Sequence, residues 1–324
     1  AEKLVDARVK PAHDENKMFF TIARAMRPPV PALGRAGTRL VVLVPLLWLL
    51  FSGLLPFLVV LKISLADSVL AAPPYTPLFA PSTHGLPHLQ ATAANYVALA
   101  QDSLYLRAYL NSLRLAAIAT VLALAIALPM AYGLARAPRN WRSYLLAAAV
   151  LPFWTSFLIR VYAWIGILKP EGLLNAALSA LGLVRHPLAI LNSDTAVIIG
   201  IVYSYLPFML LPLYATLEKL DFALLEAAAD LGCRPWRAFW SVTLPLAFPG
   251  VVAGALLVFI PAIGEFVIPD LLGGSDTRMI GKTLWVEFFD NRDGPLAAAA
   301  AVRLVALLVL PLALLQRRRG DVFG

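Results

Sequence analysis

The chain has 324 residues, of which 60% are hydrophobic and 14% are charged, and its formal net charge at pH 7 is +8. Soluble domains contain about 45–50% apolar and about 25% charged residues, so this composition excludes an ordinary soluble protein and predicts an all-α, polytopic membrane protein. The positive charge predicts contact with anionic lipid headgroups, whereas nucleic acid is not expected as a partner. The single cysteine, Cys233, excludes an internal disulfide and a cysteine-based metal cluster.

A mixed-charge segment, residues 1–39, precedes the first apolar stretch and contains Arg-Pro-Pro-Val-Pro from Arg27. No apolar core stands beside a small-residue cleavage site in this segment. We therefore predict a cytoplasmic N-terminal tail rather than a cleavable signal peptide.

Six stretches are long and apolar enough to cross a bilayer, which takes about 20 residues for about 30 Å of hydrocarbon. We therefore predict a six-helix transmembrane domain over residues 40–316, with both termini on one side of the membrane. The stretches lie near Leu40–Leu61, Leu110–Leu134, Tyr144–Leu168, Thr195–Leu217, Gly250–Leu271 and Leu296–Leu315.

Arginines collect before the first stretch, in the loops after the second and the fourth, and in a basic C-terminus at residues 317–324. Because lysine and arginine accumulate in cytoplasmic loops, we predict that these four regions, and so both termini, are cytoplasmic. The arginines are Arg24, Arg27, Arg35, Arg39, Arg136, Arg139, Arg142, Arg234, Arg237, Arg317, Arg318 and Arg319.

The loop after the fourth stretch, residues 218–249, is more polar than its surroundings. Asp221 is placed to cap a helix that begins at Phe222, Gly232 fits the left-handed position that ends a helix, and Pro235 fits the first position of a second helix. Small side chains at Ala227–Ala229 and large aromatic ones from Trp236 onward predict a docking surface for another protein. The aromatic residues alone also allow a helix that lies on lipid.

Catalytic and metal-binding patterns are missing from the sequence. The four histidines do not have metal-ligand spacing, and no nucleophile elbow occurs. Asp276-x4-Gly281-Lys282-Thr283 imitates a phosphate-binding loop but has aspartate in place of the first glycine. We therefore expect neither a catalytic residue nor a metal site in this chain.

The ionisable residues Arg160, Glu265 and Arg303 lie inside predicted spans, where such residues usually mark a pathway. At about 1.5 Å per residue, Arg160 and Glu265 lie about 22–24 Å from the cytoplasmic ends of their spans. Two interpretations remain open. Glu265, with Asp270, Tyr203 and Tyr205, receives a cationic substrate, or Glu265 pairs with Arg160 or Arg303 as a structural element.

The arginines also leave an anionic substrate open. A secondary transporter or channel would instead have inverted halves and a discontinuous midplane helix. The exposed docking loop argues against that class.

The pattern Glu226-Ala227-Ala228, then Gly232, then Leu244-Pro245 resembles the coupling-loop motif of six-helix ABC importer permeases. Three further segments are similar to the first permease subunit of spermidine/putrescine importers, and the resemblance covers roughly residues 40–315. Two departures are Val242, where isoleucine is usual, and Gly294, where the polyamine branch commonly has tryptophan. The three segments are Leu151–Arg160, Leu217–Asp221 and Gly264–Gly274.

The resemblance implies that two permease chains form a pore in a bacterial inner membrane. Two ATPase subunits bind the coupling loops, and an external binding protein delivers the substrate. It also implies that ATP and magnesium bind the ATPase partner and that this chain has no cofactor and no enzymatic activity.

The implied substrates are polyamines, with another small solute as the alternative. The residues expected to couple to the ATPase are Glu226, Ala227, Ala228, Gly232, Pro235, Trp236, Leu244 and Pro245. Those expected on the substrate pathway are Glu265, Asp270, Arg160, Tyr203 and Tyr205.

Overall fold

The computed structural model describes residues 35–69, 71–80, 88–221 and 223–320. The predicted N-terminal tail up to residue 34 and the last four residues of the basic C-terminus lie outside the described residues. The described helices are α1 (Arg35–Ser64), α2 (Ala94–Gln101), α3 (Ser103–Arg136), α4 (Arg139–Val150), α5 (Phe157–Leu168), α6 (Leu173–Ala180), α7 (Asp194–Leu217), α8 (Ala223–Asp230), α9 (Pro235–Ala238), α10 (Leu244–Ile263), α11 (Val267–Leu271), α12 (Ile280–Trp285) and α13 (Gly294–Gly320).

Short irregular elements connect some of these helices. A 3₁₀ turn covers Leu151–Trp154, and π-helical segments cover Phe239–Thr243 and Val286–Asp290. The strands β1 (Phe79–Ala80) and β2 (His88–Leu89) pair antiparallel and have two residues each. The predicted all-α class is confirmed.

The chain divides into two compact units at Leu58, within α1. In the first unit, residues 41–56 of α1 are all exposed, although most are apolar. The second unit begins at Val59 and contains the remaining helices.

Within the described residues, five helices are long and apolar enough to cross a membrane: Val41–Ser64, Ser103–Arg136, Asp194–Leu217, Pro235–Ile263 and Gly294–Pro311. The pair Arg139–Trp154 and Phe157–Ala180 also qualifies but is bent by 86°. Counted as one broken span, this pair gives the six predicted crossings.

The third span differs from the continuous stretch predicted at Tyr144–Leu168. Pro152 lies in the 3₁₀ turn, where it lacks an N–H to donate. Thr155 and Ser156 then have extended ψ angles of 156° and 136°. The helix therefore ends and restarts at Phe157, which places Arg160 in the first turn of α5 rather than in the outer third of one continuous helix.

The fifth span also differs from the prediction of Gly250–Leu271. It begins earlier, because α9, the π-helical segment and α10 are continuous from Pro235 to Ile263. It also ends earlier, since Gly264 caps α10 with non-helical angles and Val267–Leu271 is a separate short helix. Glu265 thus lies in a break between two helices.

Helices α3, α7 and α10 pack against one another and contain much of the core. Fully buried alanines recur every four residues on α3, from Ala119 to Ala131, and small residues let helices approach closely. Gly254 of α10 has the same role, since a side-chain carbon there would meet Met209 Sδ at 2.8 Å. We call the ends of these helices nearest residues 218–249 the loop end and the opposite ends the hairpin end.

At the hairpin end, residues 264–285 form what we call the return hairpin. Helix α11 packs on α7, where a side chain at Gly200 would meet Ile268 at 2.8 Å. Helix α12 then comes back to the helix break, because a side-chain carbon at Gly281 would overlap the carbonyl oxygens of Gly264 and Glu265. Phe266 and Trp285 stack with ring centroids 4.5 Å apart. The hairpin therefore holds the backbone around Glu265 between α7 and α12.

Candidate functional sites

Glu265 is the charged residue at the break between α10 and α11, and it is only 9% exposed. Its Oε1 accepts hydrogen bonds from the backbone N–H of Val267 at 3.0 Å and of Ile268 at 3.4 Å. Its Oε2 accepts the Tyr205 hydroxyl at 2.5 Å. We call Glu265 and Tyr205 the carboxylate site.

One function of the Glu265 carboxylate is to accept hydrogen bonds from backbone N–H groups at the helix break. A helix break in an apolar environment leaves N–H groups that must find acceptors, and Oε1 of Glu265 supplies one for the start of α11. A carboxylate offers about four lone-pair sites, of which these contacts use three. Oε2 therefore retains capacity for one further donor.

No cation neutralises Glu265 within the part of the chain that the structure describes. The ion pairs there join Arg114 to Asp194, Arg142 to Glu218 and Lys282 to Asp270. Of the two interpretations left open by the sequence, the one in which Glu265 pairs with Arg160 or Arg303 is therefore wrong: a tyrosine hydroxyl and two backbone amides contact the carboxylate instead.

Arg303 has other contacts. Its Nη1 donates to the carbonyl oxygen of Leu99 at 3.1 Å, and its guanidinium lies 5.1 Å from the ring centroid of Tyr109. Tyr109 in turn donates to the carbonyl oxygen of Ala300 at 2.7 Å. Arg303 thus ties α13 to the end of α2 and to α3, a structural role.

Arg160 lies among aromatic rings. Its guanidinium carbon is 4.9 Å from the ring centroid of Phe153 and 5.9 Å from that of Phe157. Its Nε and Nη1 are buried and have no hydrogen-bond partner among the residues that the structure describes. Tyr203 packs against Phe153 at 5.6 Å between centroids and against Trp164 at 5.4 Å. We call Arg160, Phe153, Phe157, Tyr203 and Trp164 the arginine cluster.

The five residues predicted on the substrate pathway therefore separate. Tyr203 and Tyr205 are two positions apart on α7, which rotates them by about 200° around the helix axis, so one enters the arginine cluster and the other reaches Glu265. Asp270 pairs with Lys282 at 3.3 Å and joins α11 to α12. Lys282 carried no assigned role in the sequence interpretation, because its distance from Asp270 depends on the fold of the return hairpin.

Tyr205→Phe is expected to lower the free energy of unfolding by about 1–3 kcal/mol, because the change removes one donor from a buried carboxylate. Tyr203→Phe is the matched control, since the Tyr203 hydroxyl has no hydrogen-bond partner among the described residues, and it should change stability by less than about 0.5 kcal/mol. Thermal unfolding of both variants in detergent measures the difference. Equal stability of the two variants would contradict the hydrogen bond to Glu265.

At the loop end, the local structure of residues 218–249 follows its sequence. The backbone N–H of Ala223 donates to Asp221 Oδ1 at 3.0 Å, as expected of a cap. Gly232 has a φ of +79°, and the N–H groups of Gly232 and Cys233 donate to the carbonyls of Ala229 and Ala228. This hydrogen-bond pair is the Schellman motif. Pro235 begins α9. The capping contact of Asp221, the glycine stop and the proline start are therefore confirmed, whereas the predicted helix start at Phe222 lies outside the described residues.

The surface of this loop is accessible. Glu226, Ala227 and Pro245 are exposed, whereas Ala228 and Leu244 are half-buried. Large apolar side chains are exposed beside them: Leu231 is 89% exposed and Trp236 61% exposed. The surface suits contact with another macromolecule, as predicted for a docking element.

Two contacts of this loop were missed by the sequence interpretation: one with α3, through Phe239 and Tyr132, and one with α4, through Glu218 and Arg142. Phe239 packs edge to face on Tyr132, with centroids 5.5 Å apart, and Arg136 donates to the Tyr132 hydroxyl at 2.9 Å. Arg142 pairs with Glu218 at 4.0 Å. The π-helical segment Phe239–Thr243 is also of a kind often found at functional sites. These contacts link the loop to the helix that continues to the hairpin end.

The fold and these sites define a multi-span membrane protein with an exposed polar loop at one end and a buried carboxylate at a helix break near the other. The chain belongs to the family of inner membrane components of binding-protein-dependent transport systems, whose model matches residues 22–318. It is a permease component of the ABC importer class, and the resemblance to the spermidine/putrescine branch is confirmed by its relatives.

The chain is 40% identical to the spermidine/putrescine transport system permease protein PotB of Haemophilus influenzae over 263 residues, or 81% of this chain and 87% of that protein. It is 43% identical to PotB of Escherichia coli K12 over 221 residues, or 68% of this chain and 80% of that protein.

The fold is also similar to a chain in the crystal structure of a bacterial alginate ABC transporter in complex with an alginate-pentasaccharide-bound periplasmic protein. The TM-score is 0.62 at 17% identity, with 95% of this chain and 96% of that chain covered.

Proposed function

We propose that this chain forms half of the translocation pathway of an ATP-driven polyamine importer and that Glu265 receives an ammonium group of the substrate. The observation that carries the proposal is the carboxylate site, a buried carboxylate that lacks a cationic partner among the described residues. The identity to two PotB proteins, whose names state spermidine and putrescine transport, supports the same substrate class.

The carboxylate site suits a polyamine for chemical reasons. A primary ammonium group loses hydration when it enters the protein, and Oε2 of Glu265 provides a charged acceptor in its place. Tyr205 keeps that oxygen in position through its hydroxyl. Because Glu265 is 9% exposed, the substrate reaches it when the hairpin end opens.

The exposed loop supports separate roles for this chain and its partner subunits. Residues Glu226–Pro245 dock an ATPase subunit, and the ATP and magnesium bind that subunit rather than this chain. A second permease chain completes the pore, and two ATPase subunits serve the two loops. The accessible surface at Glu226, Leu231 and Trp236 supports this assignment.

The distribution of positive charge supports an orientation. Arginines at the loop end, including Arg136, Arg142 and Arg237, favour a cytoplasmic location for that end by the positive-inside rule. The return hairpin then faces outward, and both termini are cytoplasmic.

Uptake by the assembled importer in proteoliposomes tests the proposal. We expect ATP-dependent accumulation of radiolabelled spermidine that unlabelled putrescine reduces, and co-purification of an ATPase with this chain. Accumulation without added ATP, or the absence of an ATPase from the purified complex, would contradict the assignment to an ATP-driven importer.

A second candidate function is import of an anionic solute. It is favoured by Arg160, whose buried Nε and Nη1 have no hydrogen-bond partner in the described part of the chain, since a buried charge without a counterion is unfavourable. Inorganic sulfate serves as the probe in the same uptake assay. ATP-dependent accumulation of radiolabelled sulfate, without accumulation of spermidine, would favour this second function over the first.

A further inference from the structure

A polar cleft of about 590 Å³ opens at the hairpin end, apart from the carboxylate site and the arginine cluster. Its walls come from the first turns of α3, the start of α7 and the loop that follows α11. The charged and amide side chains that line it are Arg107, Asn111, Arg114, Asp194, Asp276 and Arg278.

The charges of this cleft are only partly paired. Arg114 lies 3.5 Å from Asp194, which also accepts the Thr277 hydroxyl at 2.7 Å. Arg107 and Arg278 are exposed and have no ion-pair partner in the described ranges. The cleft therefore presents two unpaired guanidinium groups on a wall that is otherwise hydrogen-bonded.

The wall of the cleft is held in place by hydrogen bonds and close backbone packing. The side chain of Asn111 donates to the carbonyl oxygen of Arg278 at 3.1 Å, and Ser112 accepts the N–H of Ile280 at 2.7 Å. A side-chain carbon at Gly274 would overlap the carbonyl oxygen of Asn192. The segment that carries Arg278 is thus fixed to α3 and to the start of α7.

This segment is also part of the return hairpin. It connects α11, whose first N–H groups bond to Glu265, with α12, whose Gly281 lies against the Glu265 backbone. A ligand that moves the cleft wall would therefore act directly on the backbone around Glu265.

We propose that this cleft, which we call the arginine cleft, receives a carboxylate-bearing loop of the external binding protein. The inference rests on the proposed function and names the place and the charge of that contact. Arg107 and Arg278 form the ion pairs with the incoming carboxylates, since arginine binds carboxylate through two parallel hydrogen bonds.

A protein loop suits the cleft better than a lipid phosphate or a free anion. Asp194 and Asp276 lie on the same walls as the arginines and repel a phosphate group. A protein surface can instead offer carboxylates to the arginines and donors to the aspartates. Electrostatic matching of this kind mainly speeds association and selects the partner.

The test measures binding of the importer's spermidine-loaded binding protein to the assembled complex in nanodiscs, by surface plasmon resonance. The double variant Arg107→Glu, Arg278→Glu is expected to bind at least tenfold more weakly, mainly through slower association, with the difference largest at low salt. The matched control is Lys169→Glu, Arg185→Glu, which makes the same charge change at exposed positions of other loops at the hairpin end. We expect the control to bind within about twofold of the unmodified complex.

Each other outcome separates the two proposals. Equal affinity of both double variants would overturn the arginine cleft and leave the proposed function standing. No binding by the unmodified complex would overturn the arginine cleft, and absence of ATP-driven spermidine uptake by the same complex would overturn the proposed function as well. If the difference between the variants disappears in nanodiscs of phosphatidylcholine alone, an anionic lipid occupies the cleft and the inference is overturned.

Discussion

Glu265→Gln is expected to lower ATP-driven spermidine uptake at least tenfold at limiting substrate, while the yield of assembled complex stays near that of the unmodified protein. The amide keeps the shape of the side chain and one acceptor oxygen for the α11 amides. The substitution removes the negative charge that compensates the substrate's ammonium group for its lost hydration. Uptake in proteoliposomes and the yield of complex are measured on the same preparations.

Glu287→Gln is the matched control. Glu287 also accepts a tyrosine hydroxyl, that of Tyr105 at 2.8 Å, and a second donor from Asn291 at 2.8 Å. It lies in the π-helical segment after α12 rather than in a helix break, so its loss of charge should leave uptake within about twofold. Comparing the two variants therefore distinguishes two causes of lower uptake. One is the loss of any hydrogen-bonded charge, and the other is the loss of the substrate site at Glu265.

Three results would contradict the role given to Glu265. Unchanged uptake would remove it from the pathway. A large fall in yield with normal uptake per complex would make the cap on α11 its main role. Faster uptake of the cation by Glu265→Gln would indicate an anionic native substrate and direct attention to Arg160.

The number of spans was predictable from sequence because long apolar runs have one stable solution in a bilayer, the helix. The positions at which the helices break were not predictable from the sequence. Pro152 and the Thr155–Ser156 pair interrupt a run that is apolar throughout, and Gly264–Phe266 interrupts another. In both cases the break depends on partners for the freed backbone groups, such as Glu265 Oε1 for α11, which only the folded chain supplies.

The candidate sites also divide into features that the sequence predicts and features that depend on the folded chain. The cap, glycine stop and proline start of residues 218–249 are local interactions within a few positions, so the sequence predicts them. The partners of Glu265, Arg160 and Arg303 come from helices distant in sequence, and the predicted ion pair was wrong for that reason. One signal was available: the rotation of about 200° between Tyr203 and Tyr205 already indicated that they point in different directions.

Gly232→Val is expected to reduce both ATPase co-purification and ATP-driven uptake at least tenfold, with the chain still inserted in the membrane. The φ of +79° at this position costs a non-glycine residue about 1–2 kcal/mol, more for a β-branched one. To relieve that strain, the backbone gives up the Cys233 to Ala228 hydrogen bond, and the angle between α8 and α9 changes. Glu226 and Trp236, on either side of the bend, then no longer match the docked ATPase.

Gly182→Val is the matched control, because Gly182 also ends a helix with a positive φ angle. Gly182 has a φ of +68° and ends α6 with the same pair of hydrogen bonds, from Gly182 to Ser179 and from Leu183 to Leu178. Among the described residues, neither glycine has a neighbouring atom within 4 Å of an added Cβ, so strain in the backbone is the effect that the two variants share. Gly182 lies at the hairpin end, and its variant should lose stability without losing the ATPase. Equal losses of ATPase in the two variants would mean that Gly232 acts only through folding, whereas a loss confined to Gly232→Val assigns the bend between α8 and α9 to coupling.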